Sequence, residues 1–262
     1  MNHVLNLIFP NVSYRAFSVL MRHKDVFIKM WKTTLLPPFL DPLFYLVGIG
    51  YGLGGLIRKV QGFTYVEFFA PALVASVIMT APFFECSIGG YVRMYYQKTW
   101  DAMISTPVSI EDVVTGEILY GAARAALQGI SIMIVLLLFG LIKSPLALLI
   151  PVVCVVGGFM FGCLAMAYIS WIPNLNYVDY LFTVIMTPMF IFAGTFFPIS
   201  QLPGWMRDVA FFMPLYHVVL ITRSLITGII HPHIIQSAVW IIIVGTASFA
   251  IAIRLLRWRV VK

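Results

Sequence analysis

The sequence predicts an all-α protein embedded in a bilayer, and three observations carry that expectation. Of 262 residues, 61% are apolar and only 10% are charged, whereas a soluble domain has about 25% charged residues. So little charge could not coat a water-soluble globule. The charges are also bunched, leaving runs without Asp, Glu, Lys or Arg at 33–40, 42–57, 68–84, 125–142, 144–178, 180–206 and 224–253. A helix needs about 20 apolar residues to cross the hydrocarbon core, and several of these runs suffice. Finally, the basic residues fall unevenly between alternate loops. The expected architecture is six transmembrane helices, with an N-terminal amphipathic interfacial helix and an outer re-entrant helical hairpin between spans five and six.

Residues 1–32 form the first unit. Arg15, Ser18, Arg22, Asp25, Lys29 and Lys32 make a polar stripe at alternating three- and four-residue steps. Phe17, Leu20, Phe27 and Trp31 lie opposite, interrupted by Lys24. That pattern fits a helix lying in the headgroup plane with its cations toward anionic lipid. A surface helix packed on a protein core is the alternative. No cleavable signal peptide is expected, because the first long apolar run begins only after five basic residues, Arg15, Arg22, Lys24, Lys29 and Lys32.

The membrane domain, 33–262, is expected to span at about 33–57, 67–91, 113–141, 145–171, 177–197 and 234–253. Pro37, Pro38 and Asp41-Pro42 stand near the start of the first span, and the small-residue run GIGYGLGG near its end. Between spans five and six, 198–232 is too polar and too rich in proline for one crossing. It reads as two short helices around Pro203-Gly204 and Met213-Pro214. Cys86, Cys154 and Cys163 all fall in apolar runs without C-x-x-C spacing, as buried thiols do.

Orientation follows from Lys and Arg placement. With the N-terminus inside, eleven basic residues face the cytoplasm: five before span one, Arg93, Lys98, Arg254, Arg257, Arg259 and Lys262. Five face out: Arg58, Lys59, Lys143, Arg207 and Arg223. Both termini are therefore expected in the cytoplasm. The net charge of +7 is a topology signal and calls for no nucleic acid.

That orientation puts YYQKTWDAMISTPVSIED, residues 95–112, on the inner side. As a short helix, 96–105 carries Tyr96, Trp100, Met103 and Ile104 on one side, and Gln97, Lys98 and Asp101 on another. Pro107 ends it, and Ser109-Ile-Glu-Asp112 offers a capping box for span three. A rigid helix presenting Trp and Met among polar neighbours suits a binding hot spot. A Trp of the interfacial aromatic belt fits the spacing equally well.

Family context separates the two. RMYYQKTWDAMISTPVSIEDVVTGEI resembles the cytoplasmic loop of type-2 ABC transporter permeases, and FAGTFFPISQLPGW…MPLYHVVLITRSL resembles that family's fifth-span ending and outer hairpin. DPLFYLVGIGYGLG looks most like the branch typified by the nodulation lipo-oligosaccharide exporter. The resemblance covers nearly the whole chain from about Trp31. It implies that Gln97, Lys98, Thr99, Trp100, Asp101 and Met103 belong to a coupling helix that docks in a cleft of an ATP-hydrolysing subunit. Asp101 stands where the family commonly has Glu. The resemblance further implies two ATPase subunits, a second permease copy (a homodimer), a bacterial inner membrane, and an amphipathic cargo such as a lipo-oligosaccharide, lipid-linked glycan or hydrophobic drug.

No G-x-x-x-x-G-K-[ST] loop and no Gly-Lys pair occurs, so the chain is not expected to be an enzyme or to hold a cofactor; ATP would belong to the partner. H-E-x-x-H and G-x-S-x-G are absent too. His217, His231 and His233 read as solvated or headgroup-level residues, with too few neighbours for a metal.

Glu85, Glu117 and Arg124 fall inside predicted spans, and Asp41 near the start of one. A charge at mid-bilayer costs about 3 kcal/mol on insertion scales, so each should face protein or a polar cavity. Glu117 and Arg124 share a helix face, but about 10 Å along the axis is far for a direct pair. Struts between spans and residues of a translocation path are the readings for these three, with a proton relay behind them. The rival functions are a proton-coupled secondary transporter using these charges and a membrane scaffold without transport. Neither explains the Trp100 loop.

Overall fold

The computed structural model describes residues 12–31, 40, 43–55 and 59–260. Every element longer than a turn within them is helical. Most of the expected first span, with Asp41, Pro37, Pro38 and Pro42, lies outside the described residues; inside them, Leu46–Tyr51 is wound as a π-helix and continues through Gly52–Gly54.

Helix α1, Ala16–Lys29, opens the described chain. Five helices are long and apolar enough to cross a membrane: α2 (Tyr65–Tyr96), α4 (Ile110–Leu138), α5 (Pro145–Ile169), α6 (Leu175–Phe192) and α9 (Ile234–Val260). The short α3, Thr99–Ile104, joins α2 to α4. Between α6 and α9 come α7, Gly204–Phe212, and α8, Pro214–Thr227, bent 87° to each other. They make either one broken span, which would raise the crossings to six, or a re-entrant turn.

Local sequence sets these boundaries. Thr64 and Glu67 form a capping box that starts α2, and Ser109 and Asp112 form the one expected for α4. Pro214 sits at the first position of α8, where its missing N–H costs nothing. Gly228, at φ +78°, closes α8 in the left-handed conformation that suits glycine. Helix α9 runs seven residues beyond the expected end at 253 because its terminal cations find partners. Arg257 Nη1 lies 3.2 Å from Glu111 Oε1, and Arg259 Nη1 donates to the Ile169 carbonyl at 2.6 Å.

Helix α2 is the innermost: 83% of its most apolar window is buried, against 22% for α6. Around it pack α4, α5 and α8, and α5 also lies against α9. Cys86, Cys154 and Cys163 are free and buried, filling space as small apolar side chains do.

The chain ends of the helices sort into two faces. At one gather α1, α3, the start of α4 and the end of α9, tied by Ser13 N–H to Asp112 Oδ1 (2.6 Å), by the Arg15 guanidinium to the Pro107 carbonyl and by Arg257 to Glu111. At the other, Lys143 Nζ reaches Glu67 Oε1 at 2.6 Å and the Lys143 N–H donates to the Ile226 carbonyl at 3.0 Å.

Candidate functional site

The site builds from a change of winding in α2. Past Phe84 the helix takes two π-wound segments, Glu85–Gly89 and Val92–Tyr96. In a regular α-helix, eight residues overshoot two turns by about 80°. The wider i→i+5 winding takes up part of that excess and brings Arg93 over Glu85. Arg93 Nη1 donates to Glu85 Oε1 at 2.8 Å, and Nη2 to the Glu85 carbonyl at 3.2 Å. A side chain at position 89 would collide with this pair: a Cβ on Gly89 would stand 2.9 Å from Arg93 Nη1 and 3.0 Å from Glu85 Oε1.

The same guanidinium forks onto Glu117 of α4, with Nε to Oε1 at 2.9 Å and Nη2 to Oε2 at 2.5 Å. Such two-pronged geometry is the strongest form of an Arg–carboxylate contact. Arg124, two turns farther along α4, donates from Nη1 to the other oxygen of Glu85 at 2.9 Å. Two carboxylates thus face two guanidiniums, and the cluster balances its charge inside apolar surroundings where an unpaired ion would be expensive. Glu117 and Arg124 do not touch; Arg93 and Glu85 complete the chain between them.

Trp100 joins this cluster. Lys98 adopts a left-handed backbone, φ 52° and ψ 27°, and α3 starts after it. Two residues on, the Trp100 ring is fully buried, and its Nε1–H donates to Glu117 Oε1 at 3.1 Å. The Trp100 ring, expected on the presented side of the loop helix, is thus turned inward with no exposed surface. Its N–H was drawn to a buried carboxylate that needed another donor. Of the other expected loop residues, Gln97, Lys98 and Asp101 are exposed, Thr99 is half-buried, and Met103 is half-buried against the core. Lys98 Nζ and Asp101 Oδ2 lie 3.8 Å apart on the surface.

A fourth element reaches Glu117. His23 of α1 is buried, places Nε2 3.2 Å from Glu117 Oε1 without good hydrogen-bond alignment, and stacks on Tyr120 with ring centres 4.4 Å apart. Helix α1 comes this close because position 116 is glycine: a Cβ there would sit 2.5 Å from Val19 Cβ and 2.9 Å from the Ala16 carbonyl. The face that α1 buries is thus Ala16, Val19 and His23, while Phe17, Val26 and Ile28 stay exposed.

Sequence reasoning placed Glu85, Glu117 and Arg124 inside spans but missed Arg93 and His23 as their partners. The expected second span ends at 91 and leaves Arg93 just outside it, although an opposite charge eight residues from Glu85 is a usable signal. His23 had one too, since it follows Ala16 and Val19 at the spacing of a buried helical stripe. His217, expected to be solvated, is instead buried. It lies 2.8 Å from the Phe211 carbonyl through Nε2, 3.0 Å from Ser237 Oγ through Nδ1, and stacks on Trp240. A carbonyl only accepts, so Nε2 carries the proton and Nδ1 accepts from Ser237.

A bundle of apolar helices with a loop helix locked by buried charge onto two of its spans defines an integral membrane protein with one mechanically anchored end. The family model described as "ABC-2 type transporter" matches residues 15–227, and the chain belongs to that family, with the role in transport that membership carries. It is 36% identical over 203 residues to Nodulation protein J of Rhizobium meliloti (strain 1021), covering 76% of this chain and 77% of that one. It is 32% identical over 260 residues to Nodulation protein J of Rhizobium leguminosarum bv. trifolii, covering 97% of each. Inner membrane transport permease YadH of Escherichia coli (strain K12) is 20% identical over 193 residues, 74% of this chain and 75% of that one.

Proposed function

We propose that the chain is the membrane-spanning subunit of an ATP-driven exporter in a bacterial inner membrane, and that a separate ATPase subunit acts on it through α3. The observation that carries this reading is the Trp100–Glu117 hydrogen bond. It fixes a short helix, exposed at Asp101 and Ala102, to a buried carboxylate, which Arg93 links to α2 and which itself belongs to α4. A push on α3 would reach both spans as a rigid displacement, since a packed charge cluster has few alternative arrangements. Gln97, Lys98, Thr99 and Asp101 would form the docking surface, with Trp100 and Met103 holding it from behind.

In this reading both termini are cytoplasmic, two copies of the permease pair, and each engages one ATPase subunit. Helix α1 lies along the inner membrane surface, its Phe17, Val26 and Ile28 toward lipid. Helices α7 and α8 form an outer re-entrant turn. The Lys143 N–H bond to the Ile226 carbonyl and the Arg223 bond to the Gly194 carbonyl support this, because they hold the last turn of α8 and the segment after α6 on the face away from α3. The cargo would be amphipathic, as the resemblance to the lipo-oligosaccharide exporter branch implies and as a chain with 15% aromatic residues suits.

Reconstitution with the cognate ATPase and candidate lipo-oligosaccharides or glycolipids tests the proposal. Stimulated ATP hydrolysis and ATP-dependent movement of one such lipid are expected. Transport by the chain alone, driven by a proton gradient, would establish the secondary-transporter alternative instead.

A further inference from the structure

At the face away from α3 the structure holds a cavity of about 320 Å³, bordered by α8, the Gln61 turn and the segment after α6. That volume is at the lower end of small-ligand pockets. Arg223 of α8 lines it. Its guanidinium lies over the Phe68 ring, 4.0 Å from the centre, and its two hydrogen bonds both leave from Nη2, to the carbonyls of Gly194 (2.8 Å) and Phe68 (3.3 Å). Nε is buried without a partner. Arginine has five N–H donors, so most of this group's capacity is uncommitted.

The contrast with Arg93 is instructive. That guanidinium is held between two carboxylates, whereas no carboxylate lines the Arg223 cavity among the described residues. The rest of the polar lining is Gln61, Ser200, Tyr216, Ser224, Thr227 and His231. The Ser224 and Thr227 hydroxyls are committed to the Leu220 and Arg223 carbonyls, which leaves Gln61, Ser200, Tyr216 and His231 able to donate a hydrogen bond. Gln61 is held in left-handed backbone at φ 52° in the turn between Val60 and Phe63. Backbone carbonyls and an aromatic face stabilise a cation only in part. A positive, donor-rich cavity without an acid is chemically complementary to an anion.

We propose that this cavity binds a phosphate-class oxyanion, carried by an anionic amphiphile or by a soluble phosphate ester, with Arg223 as its principal contact. A zwitterionic headgroup fits poorly, since its ammonium would find no carboxylate. The site is separate from the α3 cluster and does not depend on how transport is powered.

Native mass spectrometry of the purified full chain, loaded with phosphatidylglycerol or phosphatidylcholine, tests this. The expected result is retention of phosphatidylglycerol at least tenfold over phosphatidylcholine, a loss of at least tenfold in Arg223→Gln, and no change in Lys59→Gln, an exposed cation outside the cavity. Displacement by millimolar sn-glycerol 3-phosphate would identify a soluble source for the oxyanion, and resistance to it a lipid source; both support the site. Equal retention of the two lipids, or equal binding by Arg223→Gln and the parent, would overturn it. Should Arg223→Gln fail to fold, Tyr216→Phe and His231→Ala reach the same cavity without touching the Phe68 and Gly194 carbonyls. A threefold loss in either is expected, and no loss in both would refute the proposal.

Discussion

Glu117 receives the Trp100 N–H and the Arg93 guanidinium and lies against His23, so three elements converge on one side chain of a fourth. Trp100 and Asp101 are neighbours in sequence with opposite situations, the first enclosed and the second on the surface. Trp100→Ala should lower stability by about 3–5 kcal/mol, seen as lost membrane abundance and a lower melting temperature. Asp101→Lys should leave both unchanged while reducing ATPase association or stimulated turnover at least tenfold. Co-purification beside a melting curve separates the two. Within the cluster, Arg124→Leu leaves Glu85 with one guanidinium where it had two. The pair is partly exposed and Arg93 remains, so the loss should fall below the roughly 3–5 kcal/mol of a fully buried pair and be seen as lower membrane abundance. Adding Glu85→Gln should restore part of that abundance, because the variants share one contact and their effects will not add. Additive losses would mean the two side chains act independently.

Among the elements, α1 shows that a polar stripe does not by itself name the residues that dock on the neighbouring helices. Its polar stripe is legible, but the residues that dock are Ala16, Val19 and His23, chosen by the gap at Gly116 on α4. Gly116→Leu should therefore detach α1 while α4 stays intact, since Leu favours helix over Gly. Trypsin cleavage at Lys24 or Lys29 should accelerate severalfold, measurable in native vesicles opened to the protease. Unchanged cleavage would show that α1 is held chiefly by the ties of Ser13 and Arg15. Helix α2 carries the complementary lesson. Its hydropathy marks a span, yet nothing in hydropathy announces the π-wound segments that align Glu85 with Arg93.

For the whole molecule, the two faces of the bundle can be assigned to the two sides of the membrane. The native cysteines are buried, so single introduced cysteines report cleanly. Ser105→Cys, in the α3 loop, should react with a membrane-impermeant maleimide only in inside-out vesicles, and Ile229→Cys, after α8, only in right-side-out ones. The reverse pattern would invert the topology and remove the docking surface from the ATPase's reach.

Composition, charge-free runs and the placement of basic residues determined that this chain is a helical membrane protein, and its five helices long and apolar enough to cross overlap five of the expected spans, with ends that differ by up to seven residues. Those features depend on the free energy of moving apolar surface out of water, which is additive along a sequence. The residues of the α3 loop were legible for the same reason, as a polar interruption with its own start and stop signals. What only the tertiary structure decided is which charge meets which: Arg93 between Glu85 and Glu117, Trp100 turned inward, and Arg223 left facing a cavity. Those outcomes depend on angles of a few tens of degrees and gaps the size of a methyl group, set jointly by elements far apart in the chain.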